Sequence, residues 1–313
     1  MNKIKILTSY KIFILIILNL QATSNSVNKC YNQNIKKTAE NKNNLKKTMI
    51  KKITIFVHGT TPLEYPIYNP SIVKNFFLCP AGLKKVSDIE ENLHPKKLAT
   101  IISDSDPEIF PIETFYLFGW SGKLSFTERK KVAQELYKQV RELLKKYDEE
   151  TQLTFISHSH GGNILLHLAE EKDPLEIDRL ILFACPVQKK TKDLVHSQCF
   201  KKVYSIHSHT DIIQIIDPQG FKELREMLNN GVSNISVKKI YDSKNLLQPK
   251  AFFSHRHFEP APNLYQIKVA FAKRGLMHID FLLPRFLKQL PKIIKKTDQQ
   301  KNDLKKEIKL ILE

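Results

Sequence analysis

Cysteine is scarce, and what there is carries no pattern. The four cysteines, Cys30, Cys79, Cys185 and Cys199, include no C-x-x-C spacing, so a structural zinc knot is not expected. A disulfide would be allowed in an exported chain, but these spacings specify no pairing. Long apolar runs are missing as well. The N-terminal "IFILIILNL" (12–20) falls far short of the roughly 20 residues a spanning helix needs. A clean A-x-A cleavage site is lacking. So is a Leu-x-x-Cys lipobox, because Val27, Asn28 and Lys29 precede Cys30. No internal repeat is visible.

Basic charge is plentiful, but unevenly placed. The 313 residues carry a formal net charge of +18, which on its own resembles a nucleic-acid binder. Residues 1–52 hold eleven Lys and one acid, and residues 285–313 are net +5, leaving only +3 for the body between. Lysine-rich ends on a balanced body argue for solvated tails or contact with a membrane surface, and against specific nucleic-acid binding.

The N-terminus has the order of an export address: basic "MNKIKILTSYK", apolar "IFILIILNL", then small and polar "QATSNS". Residues 1–24 therefore read as a signal peptide or membrane anchor, and 25–50 as a disordered Asn/Lys-rich linker. The expected location is secreted or membrane-associated. A start at Met49, just before the first core strand, would instead give a cytoplasmic protein.

The remainder alternates strands and helices. "KKITIFVHGT", "ETFYLFGWSG", "QLTFIS", "DRLILFACPV", "KKVYSIHSHTD" and "NLYQIKVAFA" read as strands. Ser125-x-x-Glu128 is a capping box. It opens a helix whose apolar positions Val132, Leu136, Tyr137, Val140, Leu143, Leu144 and Tyr147 recur with a 3.6-residue period. "NILLHLAEE", "GFKELREMLNNG", "PRFLKQLPKIIKK" and "NDLKKEIKLILE" are further expected helices. This alternation predicts an α/β domain over 51–297 with a mostly parallel sheet covered on both faces. Residues 61–111, irregular and proline-rich, read as a lid or insertion. Residues 298–313 read as a basic amphipathic helix.

Chemistry concentrates in "TFISHSHGGNILLHLA" (154–169), which supports two readings. His158 and His160 alternate as metal ligands on one strand face would. The metal pattern then fails, because Gly162 and Asn163 stand where an Asp and a third His are needed. The pairs His207/His209 and His255/His257 leave open a site assembled from several such pairs. The second reading takes Ser159 as a nucleophile on a strand–turn–helix elbow. Such an elbow requires small residues two before and two after the serine. Ser157 and Gly161 meet that requirement, with Ser157 replacing the usual glycine. Ser157 fails as nucleophile because Phe155 is bulky at its own minus-two position.

These motifs resemble the α/β-hydrolases of the lipase/esterase type, over roughly residues 53–290. "IFVHGT" is similar to the family's oxyanion segment, "SHSHGGN" to its elbow, and "FACPV" to the strand end that follows. The resemblance implies a three-layer sandwich, shortened at its N-terminal edge because two family strands are missing. It also implies a triad in the order Ser159, Asp211, His278, with Asp217 rivalling Asp211, and His255 and His257 rivalling His278. The Thr60 and His160 backbone N–H groups would form the oxyanion hole. His58 would be a supporting hydrogen-bonding residue, and Trp120 with Phe76 and Phe77 would line an acyl pocket or the core. The implied function is hydrolysis of a carboxylic ester, a lipid or acyl ester, with no cofactor. Thioesters, amides and acyl transfer fit the same triad. Metal-dependent hydrolysis at the His pairs, and a non-catalytic binding module on a degenerate scaffold, are the alternatives.

Overall fold

The computed structural model describes residues 50–61, 79–147, 150–215, 255–300 and 307–313, all within one unit, Thr48–Glu313. The expected signal peptide and linker, Cys30, the Phe76/Phe77 pair, Asp217 and the helix expected at 220–231 lie outside the described residues.

Among the described residues, nine strands form one sheet. They are β1 (Lys51–Val57), β2 (Gly82–Lys85), β3 (Phe115–Gly119), β4 (Thr151–His158), β5 (Arg179–Phe183), β6 (Val203–His207), β7 (Leu264–Phe271), β8 (Arg274–Gly275) and β9 (Ile308–Leu312). Their spatial order is β2-β3-β1-β4-β5-β6-β7-β8, with β9 also paired to β7. All pairings are parallel except β2 with β3 and β8 with β7. The α-helices of the described residues are α1 (His94–Ser105), α2 (Phe126–Leu144), α3 (Gly161–His167), α4 (Pro284–Leu287) and α5 (Leu290–Asp298).

Two-residue alternation in the strands divides the core in two. On β1, Ile53, Ile55 and Val57 join Leu136 and Val140 of α2 and Ile164 and Leu165 of α3. Phe56 faces the other layer, with Leu98 and Ile102 of α1, Phe286 of α4 and Ile293 of α5. Central strands buried on both faces explain the near-continuous apolar runs. The result is a three-layer α/β/α sandwich.

Three expectations need correction. Residues 308–312 are a strand rather than a helix. "IKLIL" is short and apolar, and such a run fits either state. The open edge of β7 decides, pairing Ile267–Phe271 with Ile308–Leu312. Within the expected lid, residues 82–105 supply β2 and α1, which belong to the sandwich itself. The capping box is half formed. Ser125 Oγ accepts from the Glu128 backbone N–H at 3.3 Å, while the Glu128 carboxylate accepts from Ser121 Oγ at 2.9 Å.

Candidate active site

The chain runs from β1 outward in both directions, to β3 on one side and β4 on the other. In an open parallel sheet the crevice for ligands lies outside the carboxyl ends of the strands at such a reversal. The carboxyl ends of β1 and β4 carry His58-Gly59-Thr60 and Ser159. The ends of β6 and β7 lead into Asp211 and His278.

Ser159 sits directly between β4 and α3, with φ of 54°. That left-handed conformation is uncommon for a residue with a side chain and stores local strain. The surroundings hold it in place. The Ser159 N–H donates to Phe183 O at 2.8 Å, extending the ladder to β5, and its carbonyl accepts from Gly162 N–H at 3.0 Å. The glycines are steric requirements. A Cβ at Gly161 would lie 2.5 Å from His58 O, and one at Gly162 would lie 2.5 Å from Cys185 Sγ. Ser157 does not prevent the turn. It is fully buried, and its Oγ has no hydrogen-bond partner among the described residues. The sheet order and this strained strand–turn–helix elbow define the architecture as a mostly parallel α/β/α sandwich with Ser159 at a carboxyl-end turn.

Solved structures are similar to part of the chain. An α/β serine hydrolase homologue from Coxiella burnetii is 15% identical, with 57% of this chain and 71% of that one covered and a TM-score of 0.33. An α/β serine hydrolase without a lid from Xanthomonas campestris is 16% identical, covering 58% and 69%, with a TM-score of 0.29. The esterase domain of a Rhodothermus marinus protein is 13% identical, covering 54% and 69%, with a TM-score of 0.28. No protein-family model matches the sequence, and no curated protein does.

Asp211 and His278 meet. Asp211 is 1% exposed, and its Oδ2 accepts from His278 Nδ1 at 2.8 Å. The other oxygen, Oδ1, accepts from the Gln214 backbone N–H at 3.1 Å. His278 Nε2 is thereby the nitrogen left for other work. The loops carrying the pair are laced together. Ser208 Oγ accepts from Leu276 N–H at 2.9 Å, and Thr210 Oγ1 donates to Leu276 O at 2.8 Å. Asp280 fixes the turn that starts at His278, accepting from Met277 N–H at 2.7 Å and pairing with Arg274.

The rival histidines go elsewhere. His257 pairs with Glu307, and the His255 backbone bridges to Val187. The alternative metal reading of His158 and His160 gains no support. His158 Nε2 donates to His278 O at 2.9 Å, and no third ligand joins His158 and His160 among the described residues. Burial holds His158 well below the ordinary imidazole pKa, with the neighbouring His278 adding to the effect. His160 is lowered likewise, by burial first and then by Arg129.

The other side of the crevice is braced by His58. Its Nδ1 donates to Gly59 O at 2.7 Å, and its Nε2 accepts from Trp120 N–H at 3.1 Å. Trp120 Nε1 donates to His58 O at 2.9 Å, and the two rings stack at 5.6 Å. Burial lowers the His58 pKa to about 4, so the ring is neutral. Both residues act as braces between β1 and β3. The Thr60 and His160 backbone N–H groups have no acceptor among the described residues.

Several positioning residues escape sequence reasoning. His158 sits against His278, with ring centroids 4.5 Å apart. Arg256 clamps the acid loop by donating to Ser208 O at 3.1 Å and Asp211 O at 2.6 Å. Asn163 ties α3 to the loop after β5, donating to Pro186 O at 3.0 Å and accepting from Thr191 Oγ1. Their signal lies in long-range contacts, which no local pattern announces. Asp280 alone was findable, as the acid two residues after His278.

Proposed function

We propose that the protein is a serine hydrolase that cleaves carboxylic esters, lipid or acyl esters among them, through an acyl-enzyme. One observation carries the reading: Ser159 is strained on the elbow, and its neighbour His158 bonds the backbone of His278, the residue paired with the buried Asp211. A serine hydroxyl is a weak nucleophile at neutral pH and needs a base. In this reading Ser159 Oγ attacks the ester carbonyl while His278 Nε2 takes its proton. The tetrahedral intermediate collapses, the C–O bond to the alcohol breaks, and His278 returns the proton to the departing alkoxide. Water then repeats the sequence on the acyl-enzyme, releasing the carboxylic acid and restoring Ser159.

Asp211 holds the imidazole with its proton on Nδ1 and stabilises the imidazolium. His158, donating to the His278 carbonyl, positions that residue's backbone. The oxyanion would be received by the Thr60 and His160 N–H groups, donors that carry no other bond among the described residues. Loss of one such donor typically costs about 10²–10³ in rate.

The test is hydrolysis of a series of p-nitrophenyl esters of increasing acyl length. The wild-type chain is expected to turn over at least one of them. Ser159→Ala should lower kcat by at least about 10⁴-fold with the fold intact. A Ser159→Ala protein that retains hydrolysis would refute the reading.

A further inference from the structure

Away from Ser159, three metal-ligating side chains converge that the proposed chemistry does not use. His207 ends β6, His257 lies in the segment leading to β7, and Glu307 directly precedes β9. Glu307 Oε1 accepts from His207 Nε2 and from His257 Nε2, at 2.8 Å in each case. The two rings meet edge to face with centroids 4.5 Å apart. One ligand atom from each residue lies within 4.8 Å of the others.

We propose that His207, His257 and Glu307 form a binding site for a borderline divalent cation of the zinc class. Two imidazoles and one carboxylate suit zinc, copper or nickel, whereas magnesium and calcium prefer all-oxygen shells. Zinc bonds of about 2.0–2.2 Å at the tetrahedral angle put ligand atoms about 3.3 Å apart, so each Glu307–imidazole distance needs to open by only about half an ångström. Each ring would move its proton from Nε2 to Nδ1, freeing the Nε2 lone pair, and solvent would supply the fourth ligand. Access is graded. His207 is 1% exposed, Glu307 24% and His257 53% by side chain, so the ion would enter from the His257 side.

Such an ion would staple β9, an outer strand, to β6 and to the segment before β7. It would also fix the residue from which the Ser208–Asp211 loop departs.

The experiment uses the full chain, stripped with chelator and dialysed, then titrated with Zn²⁺ by calorimetry and followed by thermal melting. Wild type and Ser159→Ala are expected to take up one equivalent at this site and to melt at a higher temperature with zinc. His257→Ala, a change at an exposed position, and Glu307→Gln should bind at least about tenfold more weakly, since even a supporting residue around a metal typically accounts for about 10–100-fold. His209→Ala and His255→Ala should bind like wild type. Wild type binding no more tightly than folded His257→Ala, or a loss produced by His255→Ala instead, would overturn the proposal.

Discussion

Ser157 and Ser159 stand two residues apart at the end of β4, and their surroundings assign them opposite parts. Ser159 occupies the strained turn. Ser157 is enclosed, with its hydroxyl unpartnered among the described residues. An unpaired buried hydroxyl costs on the order of 1–3 kcal/mol. Ser157→Ala is therefore expected to raise stability, by about 1 kcal/mol in a urea melt, and to leave ester turnover near wild type. The two alanine variants so separate a steric role from a chemical one. The turn at Ser159 was legible in the sequence because an elbow needs small flanking residues, and the Asp211–His278 pairing because the resemblance puts an acid and a histidine in that order. His158 was legible only as a misleading metal pair. Its real partner, the carbonyl of His278, lies 120 residues away in the chain, a separation that no local pattern reports.

At the scale of elements, the elbow rests on the close approach of α3 to β1 and to the loop after β5. A methyl group at Gly161 would meet the His58 and Val57 carbonyls at 2.5 and 2.6 Å, whereas one at Gly162 would meet the Cys185 side chain. Overpacking of this kind typically costs about 1–3 kcal/mol. Gly161→Ala and Gly162→Ala should both lower the melting temperature. Cys185→Ala should recover part of the loss only for Gly162→Ala, because backbone cannot retreat as a sulfur atom can be removed. An equal response of the two glycine variants to Cys185→Ala would contradict this packing. The strands flanking the elbow were readable from their β-branched runs, since burial on both faces leaves no other pattern. The strand at 308–312 was not, because its state is set by the free edge of β7 rather than by its own five residues.

At the scale of the whole molecule, the domain hides histidines that are neutral when folded. Burial lowers His58, His94 and His207 to about 4, and holds His158 and His160 well below their ordinary value. The unfolded chain would protonate all five near pH 6.5. Between that pH and 4 the unfolded state binds more protons than the folded one. Stability is then complete above about pH 6.5 and falls as the pH drops toward 4. Denaturant melts across this window should show stability declining from near pH 6.5, well above the carboxylate range. A flat profile down to pH 5 would contradict the burial of these rings. Among the described residues no helix is long and apolar enough to cross a membrane. Charge balance in the body pointed away from nucleic acid, and the sheet explains the apolar runs that remain.

The central claim is that His278 activates Ser159. Its most direct measurement is covalent labelling by a fluorophosphonate, with the modified peptide mapped and the labelling rate followed. The expected result is modification at Ser159 in the wild type, slowed at least about 100-fold in His278→Ala and Asp211→Asn because the hydroxyl has lost its base or its oriented base. Modification at another residue, or an unchanged rate at Ser159 in a folded His278→Ala protein, would contradict it.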